Sequence, residues 1–344
     1  RRQPGFNLPK AAVQHAWDIQ AFSAVNPDIK AAFPPADMKL VADKVLEKCD
    51  ALDGLADGMV GDMPACQKAF DIQALQCSGA KTAQCLSAPQ VTALRKVFAG
   101  PVNSKGERLY SDWPWDAGVG ASQIGFGSWR AWKLQGPIAG LPIIGALGAG
   151  SVAYVFSTPP KPVAGNPPAL IKSLLDYNFD TDAPKIFATD AKYTESAMQF
   201  MTPPNATDLS PFKARGGKMI VYHGNSDPVF SVNDTINWYE ALNRNHGGKA
   251  ADFARLFTAS YGGFYVLLTE AFPKPVRSAG LSLSYAIAVT VFGGSTQLII
   301  AWLIDRLHDP MVPAWYQIGA NAISLIGVML IGAASARRAV EVPS

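Results

Sequence analysis

The sequence predicts an α/β fold followed by a hairpin of two membrane-spanning helices. An apolar, β-prone run at 219–222 leads through the turn-forming residues HGNSDP into an amphipathic helix at 231–243, which is the order strand, turn, helix. Beyond Arg277 the chain contains two uncharged runs, 278–304 and 310–336, and a bilayer needs only about 20 such residues. These observations predict a water-exposed part and a hydrophobic C-terminal part.

The N-terminal region is expected to be helical, with helices at 13–22 and 38–48. A chain of 344 residues with 49% apolar composition has enough material for a large core, and its length favours two domains. The net charge of +3 is small and scattered, and no basic patch is interleaved with aromatic residues. Nucleic acid is therefore not expected as a partner.

The stretch DALDGLAD at 50–57 predicts a cation site. Its carboxylates, Asp50, Asp53 and Asp57, are separated by flexible residues and can place oxygen ligands around a hard cation. Calcium takes six to eight oxygens at roughly 2.3–2.6 Å. The backbone carbonyls of Leu55 and Met59 could complete this set. The alternative is a solvated acidic turn, because Asp and Gly are ordinary turn residues.

The four cysteines lie close together in the sequence, which favours disulfide bonds. Four cysteines allow three pairings, and pairing of sequence neighbours would close two short loops beside the acidic stretch. Zinc is the competing interpretation, but this region has no C-x-x-C pair and no histidine. Disulfides would require an oxidising compartment. The cysteines are Cys49, Cys66, Cys77 and Cys85.

Four motifs follow one another in the first 257 residues: CDALDGLADGMVGDMPAC, FDIQALQC, SAPQVTALRKVFAGP and ARGGKMIVYHGNSDPVFS. With these motifs the region resembles the tannase and feruloyl esterase family of α/β-hydrolases. The resemblance implies a partial α/β-hydrolase core with a large lid domain that binds calcium. It also implies the disulfides Cys49–Cys66 and Cys77–Cys85. The implied calcium ligands are the side chains of Asp50, Asp53 and Asp57 and the carbonyls of Leu55 and Met59.

The resemblance divides the chain into four parts. Residues 1–48 would form part of the hydrolase core and the entry to the lid, and residues 49–165 would form the lid. Residues 166–257 would return to the core, and residues 258–344 would form the hydrophobic hairpin.

Asp227 is the candidate catalytic acid. It lies just past the predicted strand, where a carboxylate could orient a catalytic imidazole. In the resembled family, the Asp of the HG-x-x-DP motif has this role. The resemblance also implies that the substrates are esters of phenolic acids and that the esterase part is secreted or periplasmic. The alternative is an Asp at an ordinary turn before proline.

The nucleophile and the base of the expected triad are not visible in the sequence. There is no G-x-S-x-G elbow, and the family's Cys-Ser-x-Gly-Gly stretch would precede Arg1. The family's His-Cys pair should follow DFARLF, but the chain continues TASYGGFYVLLTEAFP. The chain is therefore expected to be inactive. The serines and histidines that are not expected to act as the nucleophile or the base are Ser122, Ser128, Ser151, His15, His223, His246 and His308. A turn or core position is expected for His223 instead.

Residues 258–340 resemble the last two transmembrane helices of a major facilitator superfamily transporter of the metabolite:proton symporter type. A buried hairpin of a soluble core is the alternative. A further uncharged segment, 134–160, is rich in proline and glycine and is expected to be a packed, irregular part of the lid. Four tryptophans near it are candidates for walls of an aromatic pocket or for core packing: Trp113, Trp115, Trp129 and Trp132.

The hydrolase-like part and the ends of the hydrophobic hairpin are expected on opposite sides of one membrane. Basic residues flank the pair of spans, which predicts that both ends of the hairpin face the cytosol. Disulfides are disfavoured in the cytosol. The sequence therefore predicts a chimera with a junction near Phe257. The alternative functions are a transporter fragment that carries a non-catalytic calcium-binding domain, or a fusion without function.

Overall fold

The computed structural model describes residues 7–122 and 127–259, together with the isolated positions 303, 306, 307 and 319. The chain divides into two compact units, 1–262 and 263–344. Apart from these isolated positions, the predicted spans and the transporter-like region lie outside the described residues, and so does His308. Within the described ranges, no helix is long and apolar enough to cross a bilayer. The division between lid and core inside the first unit stays a prediction.

The first unit is mainly helical, with two strands near its C-terminal end. The helices are α1 (Leu8–Ser23), α2 (Ile29–Ala32), α3 (Pro35–Cys49), α4 (Met63–Ala69), α5 (Ala88–Ala99), α6 (Trp129–Lys133), α7 (Pro167–Leu175), α8 (Ala197–Met201), α9 (Ser210–Ala214) and α10 (Val232–Asn245). The strands are β1 (Met219–Gly224) and β2 (Ala254–Ala259).

The central helix of the core is α1, and its sequence explains this position. Its small and aliphatic residues, among them Ala11, Ala12 and Val13, are buried on more than one side of the helix. A helix that is apolar nearly all round is stable only inside a core. The helices predicted at 13–22 and 38–48 are confirmed as parts of α1 and α3.

Near the C-terminal end of the first unit, β1, α10 and β2 form a βαβ unit. The two strands pair in parallel, with Met219 opposite Ala254 and Gly224 opposite Ala259. The Ser231 side chain accepts a hydrogen bond from the Asn233 amide and so begins α10. The strand and helix predicted around the HGNSDP turn are confirmed, and the turn lies between them.

The uncharged segment 134–160 contains short π-helical turns at Ile144–Gly148 and Ser151–Val155. The side chains of Leu134, Ile143 and Ile144 are buried in the first unit. The expectation of a packed, irregular segment is confirmed.

Both disulfides join sequence neighbours. Cys49 at the end of α3 is bonded to Cys66 in α4, with an S–S distance of 1.99 Å, and Cys77 is bonded to Cys85 with 2.05 Å. This pairing confirms the one that the family resemblance implied, and it removes the thiolates that a zinc site would need. The first bond ties the two ends of the acidic stretch together.

The buried ring of His15 should make the stability of the protein depend on pH. The ring is buried in α1 against Gly148, where an added Cβ would lie 2.4 Å from the His15 Cδ2 atom. Burial, with a smaller contribution from the nearby Lys133 charge, lowers the pKa of His15 from 6.5 to about 3. The unfolded chain therefore binds a proton below pH 6.5 that the folded chain does not bind until about pH 3.

We expect the free energy of unfolding to be highest above pH 6.5 and to fall as the pH drops from 6.5 to about 3. The slope contributed by one such group is up to about 1.4 kcal/mol per pH unit. Replacing His15 with Leu should flatten the dependence, as measured by urea unfolding at a series of pH values. Parallel curves for the variant and the parent protein would contradict this assignment.

Candidate active site

Asp227 lies in the turn that follows β1, where the sequence predicted it. Its Oδ1 atom accepts hydrogen bonds from the backbone amides of Val229 at 2.8 Å and Phe230 at 3.0 Å. These contacts fix the orientation of the carboxylate, and Oδ2 remains on the opposite side, facing the end of β1. The turn therefore holds the Asp227 carboxylate through one of its two oxygens, and its role as the catalytic acid stays a prediction.

His223 is the neighbour that Oδ2 faces. The His223 Nε2 atom lies 3.4 Å from Asp227 Oδ2, and the Nδ1 atom lies 2.6 Å from the Thr235 hydroxyl of α10. The ring is buried because it ends the strand face that packs against the helix. Sequence reasoning assigned His223 to a turn or core position, and the structure adds that it contacts the candidate acid.

A small recess beside Asp227 is bounded by further polar residues. The Ser226 hydroxyl donates to Asp116 Oδ1, which also accepts a hydrogen bond from the Gly118 amide at 2.9 Å. Asn225 and Lys133 also line the recess. Its cavity volume is about 10 Å³, which is room for about one water molecule. The apolar lining consists of Val97, Phe98, Trp113, Pro114, Val119 and Trp129.

Lys133 forms a buried ion pair with Asp18 of α1. The two side chains are 1% and 0% exposed, and the Gln14 amide donates a second hydrogen bond to Asp18 at 2.6 Å. The Lys133 Nζ atom also lies 4.5 Å from the centre of the Trp113 ring. Burial raises the pKa of the Asp18 carboxyl, and the Lys133 charge opposes this rise. The ion pair joins α1 and α6 beneath the recess.

Two of the four candidate wall tryptophans line the recess, Trp113 and Trp129. Trp115 instead stacks on Phe98, with ring centres 3.8 Å apart and planes 5° apart. Trp113 and Trp129 are buried in the hydrophobic core, and Trp115 packs against it. A role as walls of a substrate pocket stays a prediction.

Sequence reasoning missed Asp116, Lys133, Asn225 and Ser226 as neighbours of Asp227. Asn225 and Ser226 carry a signal, because they occupy the same HGNSDP turn as Asp227. Asp116 and Lys133 have no such sequence signal, because more than 90 residues separate each of them from Asp227.

Other candidate residues have structural partners. The Ser128 side chain caps α6, and the Ser151 hydroxyl donates to the Leu147 carbonyl at 3.0 Å. His246 Nε2 accepts a hydrogen bond from the Leu209 amide at 3.1 Å. The expectation that none of these residues is the nucleophile or the base stays a prediction.

The acidic stretch folds as a 3-10 turn, Asp50–Asp53, followed by a loop. Asp50 Oδ1 accepts hydrogen bonds from the amides of Asp57 at 3.0 Å and Gly58 at 2.9 Å. Asp53 and Asp57 each accept one amide, from Leu55 and Met59 respectively. Gly54 and Gly58 allow the reversal because both have positive φ, 93° and 80°.

The loop does not gather three carboxylates. Among the described residues, no group of three or more His, Cys, Asp or Glu side chains is arranged to hold a metal ion. The reason lies in the loop itself: each predicted acidic ligand directs one oxygen to a backbone amide of the same loop. The Asp53 Oδ2 atom lies against Gly61, where a Cβ would come within 1.8 Å of it.

The comparison with known proteins agrees with this architecture. The family profile described as tannase and feruloyl esterase matches residues 2–264. A mono(2-hydroxyethyl) terephthalate hydrolase from Piscinibacter sakaiensis is 44% identical over 276 residues, covering 74% of this chain and 45% of that protein. The crystal structure of feruloyl esterase B from Aspergillus oryzae superposes with a TM-score of 0.53 at 22% identity, covering 74% of this chain and 44% of that one.

A short match concerns the transporter resemblance. A putative proline/betaine transporter from Staphylococcus aureus is 39% identical over 64 residues, which is 19% of this chain and 13% of that protein. A match this short shows no family, so the predicted transporter hairpin is not supported. The chain spans less than half the length of the hydrolase and of the feruloyl esterase named above. On the profile match and on the identity to the hydrolase, this chain belongs to the tannase and feruloyl esterase family.

Proposed function

We propose that this chain supplies the catalytic acid and the lid of a carboxylic ester hydrolase that acts on esters of aromatic acids. One observation carries the proposal: Asp227 lies past the end of β1 with Oδ1 held by two backbone amides and Oδ2 directed away from them. A carboxylate held in this way can accept the N–H of an imidazole and stabilise the imidazolium that forms during acyl transfer.

The proposal assigns Asp227 an orienting role and no role as nucleophile. In an acyl-enzyme mechanism, the acid fixes the tautomer of the imidazole, the imidazole takes the proton of the serine hydroxyl, and the alkoxide attacks the ester carbonyl. The residues around Asp227 support its part. Ser226 holds Asp116 on one side, and His223 faces Oδ2 on the other.

We include in the proposal that the 344-residue chain does not turn over ester by itself. No G-x-S-x-G elbow occurs in it, and its histidines do not occupy the position of the family's base. A chimeric origin, with the junction near Phe257, remains part of the same proposal. The two disulfides support secretion or a periplasmic location for the hydrolase part.

The substrate class follows from the relatives. Two relatives are named for a half-ester of terephthalate and for feruloyl esters. Both substrates are esters of an aromatic acid whose ring carries a further polar group. We therefore propose esters of hydroxybenzoic, hydroxycinnamic and related aromatic acids as substrates.

The experiment that tests the proposal replaces the matched segment of the terephthalate hydrolase with residues 2–257 of this chain. The host then supplies the nucleophile and the base, and this chain supplies the acid and the lid. We expect the graft to hydrolyse methyl ferulate or mono(2-hydroxyethyl) terephthalate at least tenfold faster than methyl butyrate. A folded graft that prefers the aliphatic ester would contradict the proposed substrate class.

We also propose that the acidic stretch binds calcium, with Asp50, Asp53, Asp57 and the carbonyls of Leu55 and Met59 as ligands. The donor chemistry supports this proposal, since all five ligands are oxygens and the loop is closed by the Cys49–Cys66 bond. The three carboxylates do not converge in this structure, so the ion would have to gather them. Each carboxylate also keeps one oxygen that is not used for an amide. The ion would hold together a loop whose acidic side chains otherwise repel one another.

Replacing Asp53 with Ala should lower the melting temperature more in calcium than in chelator, where only the hydrogen bond from the Leu55 amide is lost. A ligand that binds the folded state alone stabilises it in proportion to its occupancy, by about 2.7 kcal/mol at a hundredfold excess over Kd. The measurement is thermal unfolding in calcium and in chelator, with Asp71→Ala as the control, because Asp71 caps a short turn elsewhere in the lid. Equal losses in calcium and in chelator would refute the assignment.

A further inference from the structure

His223 lies between two polar groups on opposite sides of its ring. The Nδ1 atom is 2.6 Å from the Thr235 hydroxyl in α10, and the Nε2 atom is 3.4 Å from Asp227 Oδ2. The His223 side chain is only 2% exposed, so bulk water has little access to either nitrogen. These two neighbours therefore determine which nitrogen carries a proton.

The carboxylate of Asp227 favours a proton on Nε2. Among the described residues, Nε2 forms no hydrogen bond, and Asp227 Oδ2 is the charged atom beside it. Their separation is longer than an ideal hydrogen bond, as is common for active-site contacts before a substrate binds. A nitrogen lone pair repels a carboxylate oxygen at this distance, whereas an N–H group attracts it. The Nε2 atom is therefore expected to carry the proton.

The hydroxyl of Thr235 supports the same tautomer. A neutral imidazole has one donor nitrogen and one acceptor nitrogen, so a proton on Nε2 leaves Nδ1 as an acceptor. A hydroxyl can donate to such a nitrogen, and the 2.6 Å contact is short enough for this bond. Thr235 is 1% exposed and its β-branched side chain has few rotamers in a helix, so the position of the hydroxyl is fixed.

A second carboxylate near the ring, that of Asp234 in α10, is engaged elsewhere. Its Oδ1 atom accepts hydrogen bonds from the Asn7 amide at 2.7 Å and from the Ser111 hydroxyl at 3.3 Å. Of the two carboxylates, only that of Asp227 forms an ion-pair contact with the ring among the described residues. The Nε2 proton is therefore directed at Asp227.

We propose that His223 is a positioning residue for Asp227, which holds the second oxygen of the carboxylate through its Nε2–H group. The inference rests on the proposed function, because Asp227 needs a fixed direction as the partner of a catalytic imidazole. The amides of Val229 and Phe230 hold Oδ1 alone, and a carboxylate held at one oxygen can still turn about its Cβ–Cγ bond. A carboxylate oxygen accepts more than one hydrogen bond, so Oδ2 can serve His223 and the imidazole together.

The tautomer is measured directly by nitrogen NMR of the full chain labelled at its histidines. The spectrum is recorded at about pH 8.5, well above the ordinary pKa of histidine. The chain has four histidines, so the signals that disappear in His223→Gln identify this ring. We expect a protonated Nε2 and an unprotonated Nδ1. A ring with its proton on Nδ1 would overturn the proposal.

Two substitutions separate the two halves of the ring. His223→Gln places an amide at the position of Nε2, whereas His223→Asn places one at the position of Nδ1, where it can keep the contact with Thr235. In the graft, we expect His223→Gln to keep kcat within about threefold and His223→Asn to lower it by about tenfold or more, with KM changed less than about twofold in both. Equal kcat values in the two variants, or a lower kcat in His223→Gln, would overturn the proposal.

The two measurements separate this inference from the proposed function. The NMR result does not depend on turnover, and it decides the proposal if a variant fails to fold, as judged by its melting temperature. A proton on Nε2 in a chain whose folded graft hydrolyses no ester would support the contact and contradict the proposed function. An active graft in which the two variants have equal kcat values would support the proposed function and overturn the positioning role of His223.

Discussion

In the graft that carries residues 2–257 of this chain, Asp227→Asn is expected to lower the turnover number by about ten-thousand-fold, the loss typical of a triad acid. The asparagine can keep its carbonyl oxygen on the amides of Val229 and Phe230, which now hold Asp227 Oδ1 at 2.8 and 3.0 Å. The turn should therefore stay folded. The amide nitrogen would then face the imidazole and cannot accept its N–H, so the wrong tautomer is favoured.

The measurement is kcat for an aromatic ester together with the melting temperature of the same variant. The control is Asp176→Asn, which removes an exposed carboxylate that pairs with Lys172 in α7. We expect it to change kcat less than twofold. Equal kcat values for Asp227→Asn and the unaltered graft would show that Asp227 is an ordinary turn residue.

Lys133→Met is expected to lower the free energy of unfolding of the full chain by about 3–5 kcal/mol, because it leaves a buried carboxylate without its partner. The Asp18 side chain is 0% exposed, and apart from Lys133 it receives a side-chain hydrogen bond only from Gln14 among the described residues. Burial already raises the pKa of Asp18, and removing the ammonium should raise it further.

A double variant separates the charge from the packing. Asp18→Leu combined with Lys133→Met replaces both charges with apolar groups, and we expect it to recover most of the loss, because such replacements are often neutral. The matched control is Lys172→Met, which breaks the exposed pair with Asp176 and should cost less than about 1 kcal/mol. A Lys133→Met loss as small as that of the control would contradict the importance of the pair.

The features that the sequence predicted well depend on local patterns. The strand before Asp227 is a short apolar run followed directly by turn residues, and α10 begins at a serine cap. The helices α1 and α3 follow from apolar periodicity. The disulfide pairing required the family resemblance, because four cysteines alone allow three pairings.

The features that could not be predicted depend on distant contacts. Asp18 and Lys133 are 115 residues apart, and Asp116 and Ser226 are 110 residues apart, so no spacing rule connects either pair. In the acidic stretch, the residues are close in sequence, but their side-chain directions still could not be predicted. Its composition indicated calcium, but the direction of each carboxylate depends on backbone hydrogen bonds that the spacing of acids does not determine.

The central claim is that this chain supplies a competent acid and lid to an ester hydrolase of its family. The most direct measurement is the rate at which the graft releases terephthalate from mono(2-hydroxyethyl) terephthalate, compared with the host hydrolase under the same conditions. We predict that the kcat of the graft lies within about a hundredfold of the host's, whereas loss of the acid would lower kcat by roughly ten-thousand-fold. A graft that folds, binds the ester and releases no terephthalate would contradict the account.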